Sequence, residues 1–155
     1  MRLCATTATA CIAAFHLASG APVQLPLWPE GRAPDVSKEQ AAPFLSVSLP
    51  EKRTCDALAV IAPGGSYMKW CEWEGACAKY FNERGMATAL LRYRTPRPAG
   101  LAKHVTAWQD AQRAVRLCRA HAAEWGVNPE NLGFMGFSAG GNLTLLAAMS
   151  SQTPA

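Results

Sequence analysis

The stretch Gly136-Phe137-Ser138-Ala139-Gly140-Gly141 constrains the fold of this chain more than any other. It follows the apolar run Leu132 to Phe137 and precedes the apolar segment Leu143 to Met149, so it reads as strand, sharp turn and helix with a serine at the apex. A Gly-x-Ser-x-Gly turn in that setting is a nucleophile elbow. Its glycines leave room for a tight, strained turn that lifts the serine hydroxyl above the carboxyl edge of a sheet. The pattern has this meaning only between a strand and a helix, so the rest of the chain decides its weight.

The preceding sequence alternates strands and helices. Phe44-Leu45-Ser46-Val47-Ser48-Leu49 alternates apolar and polar residues and stops at Pro50, which predicts a half-exposed strand. Ala57 to Ala62 is a continuous apolar run ending at Pro63-Gly64-Gly65, as expected of a buried parallel strand feeding a loop. Trp70, Trp73, Cys77, Tyr80 and Phe81 recur at helical spacing up to Gly85 and predict a core-packing stripe. Ala87 to Tyr93 is a second buried strand, closed by the proline-bearing loop Arg94-Thr95-Pro96-Arg97-Pro98. The longest predicted helix, ~33 Å at ~1.5 Å per residue, runs from His104 to Trp125. Its apolar face is Trp108, Ala111, Val115, Cys118, Ala122 and Trp125. The links are too short for separate domains, so residues 44–155 are expected to form an α/β unit with a mainly parallel sheet and flanking helices.

Residues 21–43 carry Pro22, Pro26, Pro29, Pro34 and Pro43 with Gly31. That spacing excludes a helix or a central strand and predicts an extended arm running over the surface. Ahead of it, Arg2, the small and apolar residues Cys4 to Leu17, and Ala18-Ser19-Gly20 as a cleavage site read as a secretory signal over residues 1–20. The protein is therefore expected to be secreted or periplasmic. No later stretch reaches the roughly 18 consecutive apolar residues a membrane span needs. The net charge of +4 comes from scattered basic residues, with no run that would mark a nucleic-acid surface. Of the six cysteines, Cys4 and Cys11 would leave with the signal. Cys55, Cys71, Cys77 and Cys118 lack Cys-x-x-Cys spacing, so neither a zinc site nor any other metal or organic cofactor is implied. Cys77 and Cys118 fall on apolar helical stripes and are expected as buried free thiols.

In such sheets ligands bind outside the carboxyl ends of the strands, where two Gly-rich turns fall in this chain. One is the elbow; the other is Pro63-Gly64-Gly65-Ser66-Tyr67. Glycines at the second turn let backbone N–H groups approach a substrate closely. With the N–H of Ala139 at the start of the last helix, they would form an oxyanion hole for acyl transfer, helped by the partial positive charge of the helix N-terminus.

Pro63-Gly64-Gly65-Ser66-Tyr67, Tyr93-Arg94, Asp110 to Arg116 and Gly133 to Gly141 together resemble the α/β-hydrolase superfamily. The similarity is to its bacterial feruloyl and acetyl-xylan esterase-like branch, and Pro26-Leu27-Trp28-Pro29-Glu30-Gly31 also resembles the leader loop of exported members. The resemblance implies Ser138 as nucleophile, Ala139 with Gly64 or Gly65 as oxyanion donors, and Tyr67 as a wall of the acyl pocket. The implied partner is a small-molecule or polysaccharide ester. Two positions depart from the family pattern: Ser66 stands where a third glycine is usual, and Asn142 where many members have histidine.

In this family the acid and then the histidine of the triad follow the nucleophile, but residues 139–155 contain no Asp, Glu or His. His16 lies in the expected signal, and His104 and His121 belong to the long helix, where they read as cap and surface residues. Asp110 in the same helix is expected to pair with an arginine or cap a turn. The chain therefore reads as the N-terminal part of a hydrolase domain, truncated at its C-terminus, with Leu132 to Phe137 left as an open sheet edge. The alternatives are a peptidase or dienelactone-type hydrolase of the same superfamily, or a non-catalytic interaction fragment.

Overall fold

The computed structural model describes residues 21–35 and 37–149; the expected signal at 1–20 lies outside them. Eight elements follow in chain order: β1 (Val23–Pro26), β2 (Phe44–Ser48), β3 (Leu58–Ala62), α1 (Glu74–Asn82), β4 (Ala87–Arg92), α2 (Val105–His121), β5 (Leu132–Gly136) and α3 (Ala139–Met149). The strands form one mixed sheet in the order β1-β2-β4-β3-β5. Strands β4, β3 and β5 are parallel, with Val60 opposite both Ala89 and Phe134, while β1 and β2 add antiparallel pairings.

The alternation of side chains along a strand explains the layers. Leu58, Val60 and Ala62 of β3 point into a core shared with Ala111, Ala114 and Cys118 of α2 and Leu143 of α3. Ala59 and Ile61 point to the other face, where Cys77, Ala78 and Phe81 of α1 cover them. A strand buried on both faces needs apolar residues at every position, which is why Leu58–Ala62 has none that is polar. Strand β5 forms the sheet edge among the described residues, as expected for Leu132 to Phe137.

Three local expectations change. The proline-rich arm does more than cross the surface: Val23–Pro26 pairs with Phe44–Val47 as an edge strand, and Leu27 is fully buried. Proline tolerates this place because an edge strand leaves one row of N–H groups unused. The aromatic stripe divides, because α1 begins only at Glu74. Trp70 and Trp73 precede the helix, and Trp73 and Tyr80 are each 52% exposed rather than in the core. Helix α2 ends at His121, and Gly126 at φ +63 turns the chain so that Val127 N–H reaches the Ala122 carbonyl. Its buried face is built on Ala107, Asp110, Ala111, Ala114 and Cys118, with Trp108 and Val115 only partly covered.

The polar residue on that face is explained by its partners. Asp110 is fully buried and receives the Arg94 guanidinium at 3.0 Å, the Arg94 backbone N–H at 2.8 Å and the Trp28 indole N–H at 2.8 Å. Arg94 also donates to the carbonyls of Pro34 and Thr106. The N-terminal arm, the loop after β4 and α2 are thus joined at one carboxylate. Among the described residues the four cysteines are free, and no helix is long and apolar enough to cross a membrane.

Candidate active site

Strand β5 delivers the chain to Gly136 and α3 starts at Ala139, so Phe137 and Ser138 form the whole turn. Ser138 has φ +51, in the left-handed region that costs a non-glycine residue roughly 1–2 kcal/mol. Three backbone bonds hold it there: Gly140 N–H to the Phe137 carbonyl at 2.8 Å, Asn142 N–H to the Ser138 carbonyl at 3.0 Å, and Phe137 N–H to the Ala62 carbonyl at 3.3 Å. The two glycines of the motif have separate steric reasons. A Cβ on Gly136 would run into the Gly140 carbonyl, and one on Gly140 into the Ala62 carbonyl. The strand, the turn and the helix therefore approach more closely than any side chain permits, and Ser138 is left exposed at the apex.

The loop after β3 is bent as sharply, with Gly65, Ser66 and Tyr67 all at positive φ (+119, +56 and +62). Ser66 thus holds a conformation that glycine adopts without strain. The loop lies directly against the elbow: a Cβ placed on Gly64 would sit 3.3 Å from Ser138 Cβ. Gly64 and Gly65 are both candidate donors, and their N–H groups differ in occupancy. Gly64 N–H donates to Glu74 Oε1 at 2.8 Å and is already engaged. Among the described residues, the N–H groups of Gly65 and Ala139 form no hydrogen bond.

Ser138, Ala139 and Asn142 on one side and Ser66, Tyr67, Arg97 and Lys103 on the other line an open cavity of about 460 Å³. Tyr67 is nearly buried, and its hydroxyl lies 3.0 Å from the Ala139 carbonyl and 2.8 Å from Asn142 Oδ1. Asn142 thus braces Tyr67. Burial pushes the Tyr67 phenol up to about 12, so it remains a neutral hydrogen-bonding group at ordinary pH. Tyr93 packs against Tyr67 at 5.9 Å and donates to the Pro63 carbonyl; burial, with smaller contributions from Tyr67, Glu74 and Cys71, raises its pKa as well. On the far side of the turn, the half-exposed Trp73 packs edge-on against Phe137 at 4.3 Å.

Among the described residues, no histidine and no carboxylate line the cavity. His104 precedes α2 and packs against Trp108, and His121 bonds Glu124 at 2.8 Å and stacks on Trp125. Among the described residues no three His, Cys, Asp or Glu side chains gather where they could hold a metal ion. Glu74 escaped the sequence reading because an acid at the start of a helix is ordinary there, favoured by the dipole. Nothing local marks it as fully buried.

The BD-FAE family profile matches residues 45–155. The chain belongs to the BD-FAE family. It is similar to the acetylxylan esterase of Xylanibacter ruminicola, at 32% identity over 112 residues, covering 68% of this chain and 21% of that protein. It is also similar to endo-1,4-beta-xylanase B of Butyrivibrio fibrisolvens, at 36% over 93 residues, or 59% of this chain and 14% of the other. Among solved structures, the acetyl ester-xyloside bifunctional hydrolase of Caldicellulosiruptor lactoaceticus superposes with a TM-score of 0.73 and 27% identity, over 83% of this chain and 47% of that one. A thermophilic esterase from Thermogutta terrifontis with butyrate bound follows at 0.59 and 28%, over 68% and 39%. This BD-FAE chain has the α/β-hydrolase fold of an esterase-type hydrolase family, and it spans less than half the length of each of these relatives.

Proposed function

We propose that Ser138 is the nucleophile of a carboxylic-ester hydrolase acting on acetyl or feruloyl esters of plant polysaccharide, or on similar small esters. The observation that carries this reading is Ser138 itself, exposed at φ +51 between β5 and α3 with the Gly64 loop against it. In the proposed reaction Ser138 Oγ bonds to the ester carbonyl carbon as its proton passes to a general base. The tetrahedral oxyanion is held by the N–H groups of Ala139 and Gly65. Its collapse breaks the bond to the alcohol oxygen, which leaves protonated, and water hydrolyses the acyl-enzyme. Tyr67 forms a wall of the acyl pocket. The similarity to an acetylxylan esterase supports the substrate class.

Among the described residues lining the cavity there is no base and no orienting acid, so turnover without groups supplied from elsewhere is expected to be very small. We also read residues 1–20 as an export signal, which makes the mature protein secreted or periplasmic and beginning at Ala21. The test is acetate release from acetylated xylan and p-nitrophenyl acetate by the full-length gene product, wild type against Ser138→Ala. The expected loss is roughly 10⁴- to 10⁶-fold. Turnover unchanged in Ser138→Ala would remove Ser138 from the reaction.

A further inference from the structure

The loop that follows β4 is held at both ends, at the far one against the site. At its start the buried Arg94 side chain is tied to Asp110, to the carbonyl of Thr106 and to Gln109. In the middle, Gln40 donates to the Pro96 carbonyl at 2.9 Å. At its far end, Arg97 N–H donates to the Tyr67 carbonyl at 2.7 Å. A buried polar network thus sets where the Arg97 Cα stands relative to Tyr67 and Ser138, while the Arg97 side chain stays exposed. Lys103, just ahead of α2, is exposed at the same cavity.

Among the described residues, Arg97 and Lys103 are the only charged side chains lining the cavity that holds Ser138. Among the described residues neither side chain forms an ion pair or hydrogen bond, whereas Arg92 and Lys79 are paired with Glu72 and Glu83. Glu74 is fully buried behind the loop and accepts the Gly64 N–H, so it does not face the opening. Two cations at one opening repel each other, and the adjacent N-terminus of α3 adds charge of the same sign. A ligand bearing a negative charge relieves all three.

We propose that this cavity takes an ester that also carries a carboxylate, held by Arg97 and Lys103 while the ester carbonyl lies at Ser138. This rests on Ser138 marking the reacting end of the cavity. The chemistry required is one carboxylate within a few bonds of the ester, either on the alcohol side, as in an acylated acidic sugar, or on the acyl side, as in a half-ester of a diacid.

The test is binding, measured by titration calorimetry on the full chain, with matched pairs of probes. For the alcohol side the pair is 4-acetoxybenzoate and its methyl ester; for the acyl side it is methyl hydrogen adipate and dimethyl adipate. One pair is expected to show the anion binding about tenfold more tightly than its neutral partner at low salt, which identifies the side that carries the charge. The preference should vanish in the double variant Arg97→Gln/Lys103→Gln and fall in wild type at about 0.5 M NaCl. Equal affinity within both pairs, or a preference that survives the double variant, overturns the proposal. Ser138→Ala should keep the preference, because it removes no charge. A Ser138→Ala enzyme that still turned over esters would sink the nucleophile assignment, while the paired affinities would still judge the anion site by themselves.

Discussion

Glu74 Oε1 accepts the Gly64 N–H at 2.8 Å, and Gly64 lies against Ser138, so a buried carboxylate on α1 fixes the distance between the loop after β3 and the turn that carries Ser138. Its second oxygen is buried without a hydrogen-bond partner among the described residues. Glu74→Ala would leave the Gly64 N–H buried and unpaired, at a cost of about 1–3 kcal/mol. Glu74→Gln keeps an acceptor and buries an amide in place of a carboxylate, so it should cost less. Urea melts of the two variants check the order; an alanine variant as stable as wild type would mean that the bond holds nothing in place.

The elbow stores strain that a glycine would release. Ser138→Gly removes the left-handed penalty and should stabilise the fold by up to about 1–2 kcal/mol while deleting the hydroxyl. Gly140→Ala should do the reverse, because its Cβ meets the Ala62 carbonyl and β3 would have to move. A loss of at least about 3 kcal/mol, or failure to fold, is expected. Thermal denaturation of both variants reads the two signs.

Asp110 joins three segments, so its removal should be felt globally. Asp110→Ala strands the buried Arg94 guanidinium, which typically costs about 3–5 kcal/mol. Trp28→Phe removes one donor to the same carboxylate and should cost less, about 1 kcal/mol. Denaturant titrations of both variants and of the Trp28→Phe/Asp110→Ala double give the coupling directly. Additive losses would show that Trp28 does not act through Asp110.

Cys118 predicts an alkaline limit. Burial pushes its thiol up to about 12 in the folded state, against ~8.5 when unfolded. Above the lower value the unfolded chain sheds a proton that the folded chain keeps. This contribution is therefore fully present below pH ~8.5 and is lost as the pH rises toward 12. Cys118→Ala should flatten the decline in stability expected of wild type between pH 8 and 10 in urea melts; an identical slope in both would exclude the thiol as its source.

Much of the fold was legible because it rests on local chemistry. The apolar run Leu58–Ala62, the proline-closed strand after Ala87 and the Gly-x-Ser-x-Gly turn each have one good physical reading, and the structure has a strand, a strand and a strained turn there. What was misread depended on partners distant in sequence. Trp73 looks like core by spacing but stands half-exposed against Phe137, 64 residues on (137 − 73). Leu27 looks like part of a surface arm but is buried once Val23–Pro26 pairs with β2.

The sequence by itself determined the α/β alternation, the elbow and the serine at its apex, because turn sterics and side-chain periodicity act over a few residues. Only the tertiary structure decided which N–H groups remain open beside Ser138, that Glu74 is buried under the loop, and that Arg97 and Lys103 flank the same cavity. Hydrogen-bond occupancy and charge proximity are properties of the folded arrangement. They arise when the β3 loop, the β4 loop and α3 meet at one edge of the sheet, and no stretch of the chain encodes them alone.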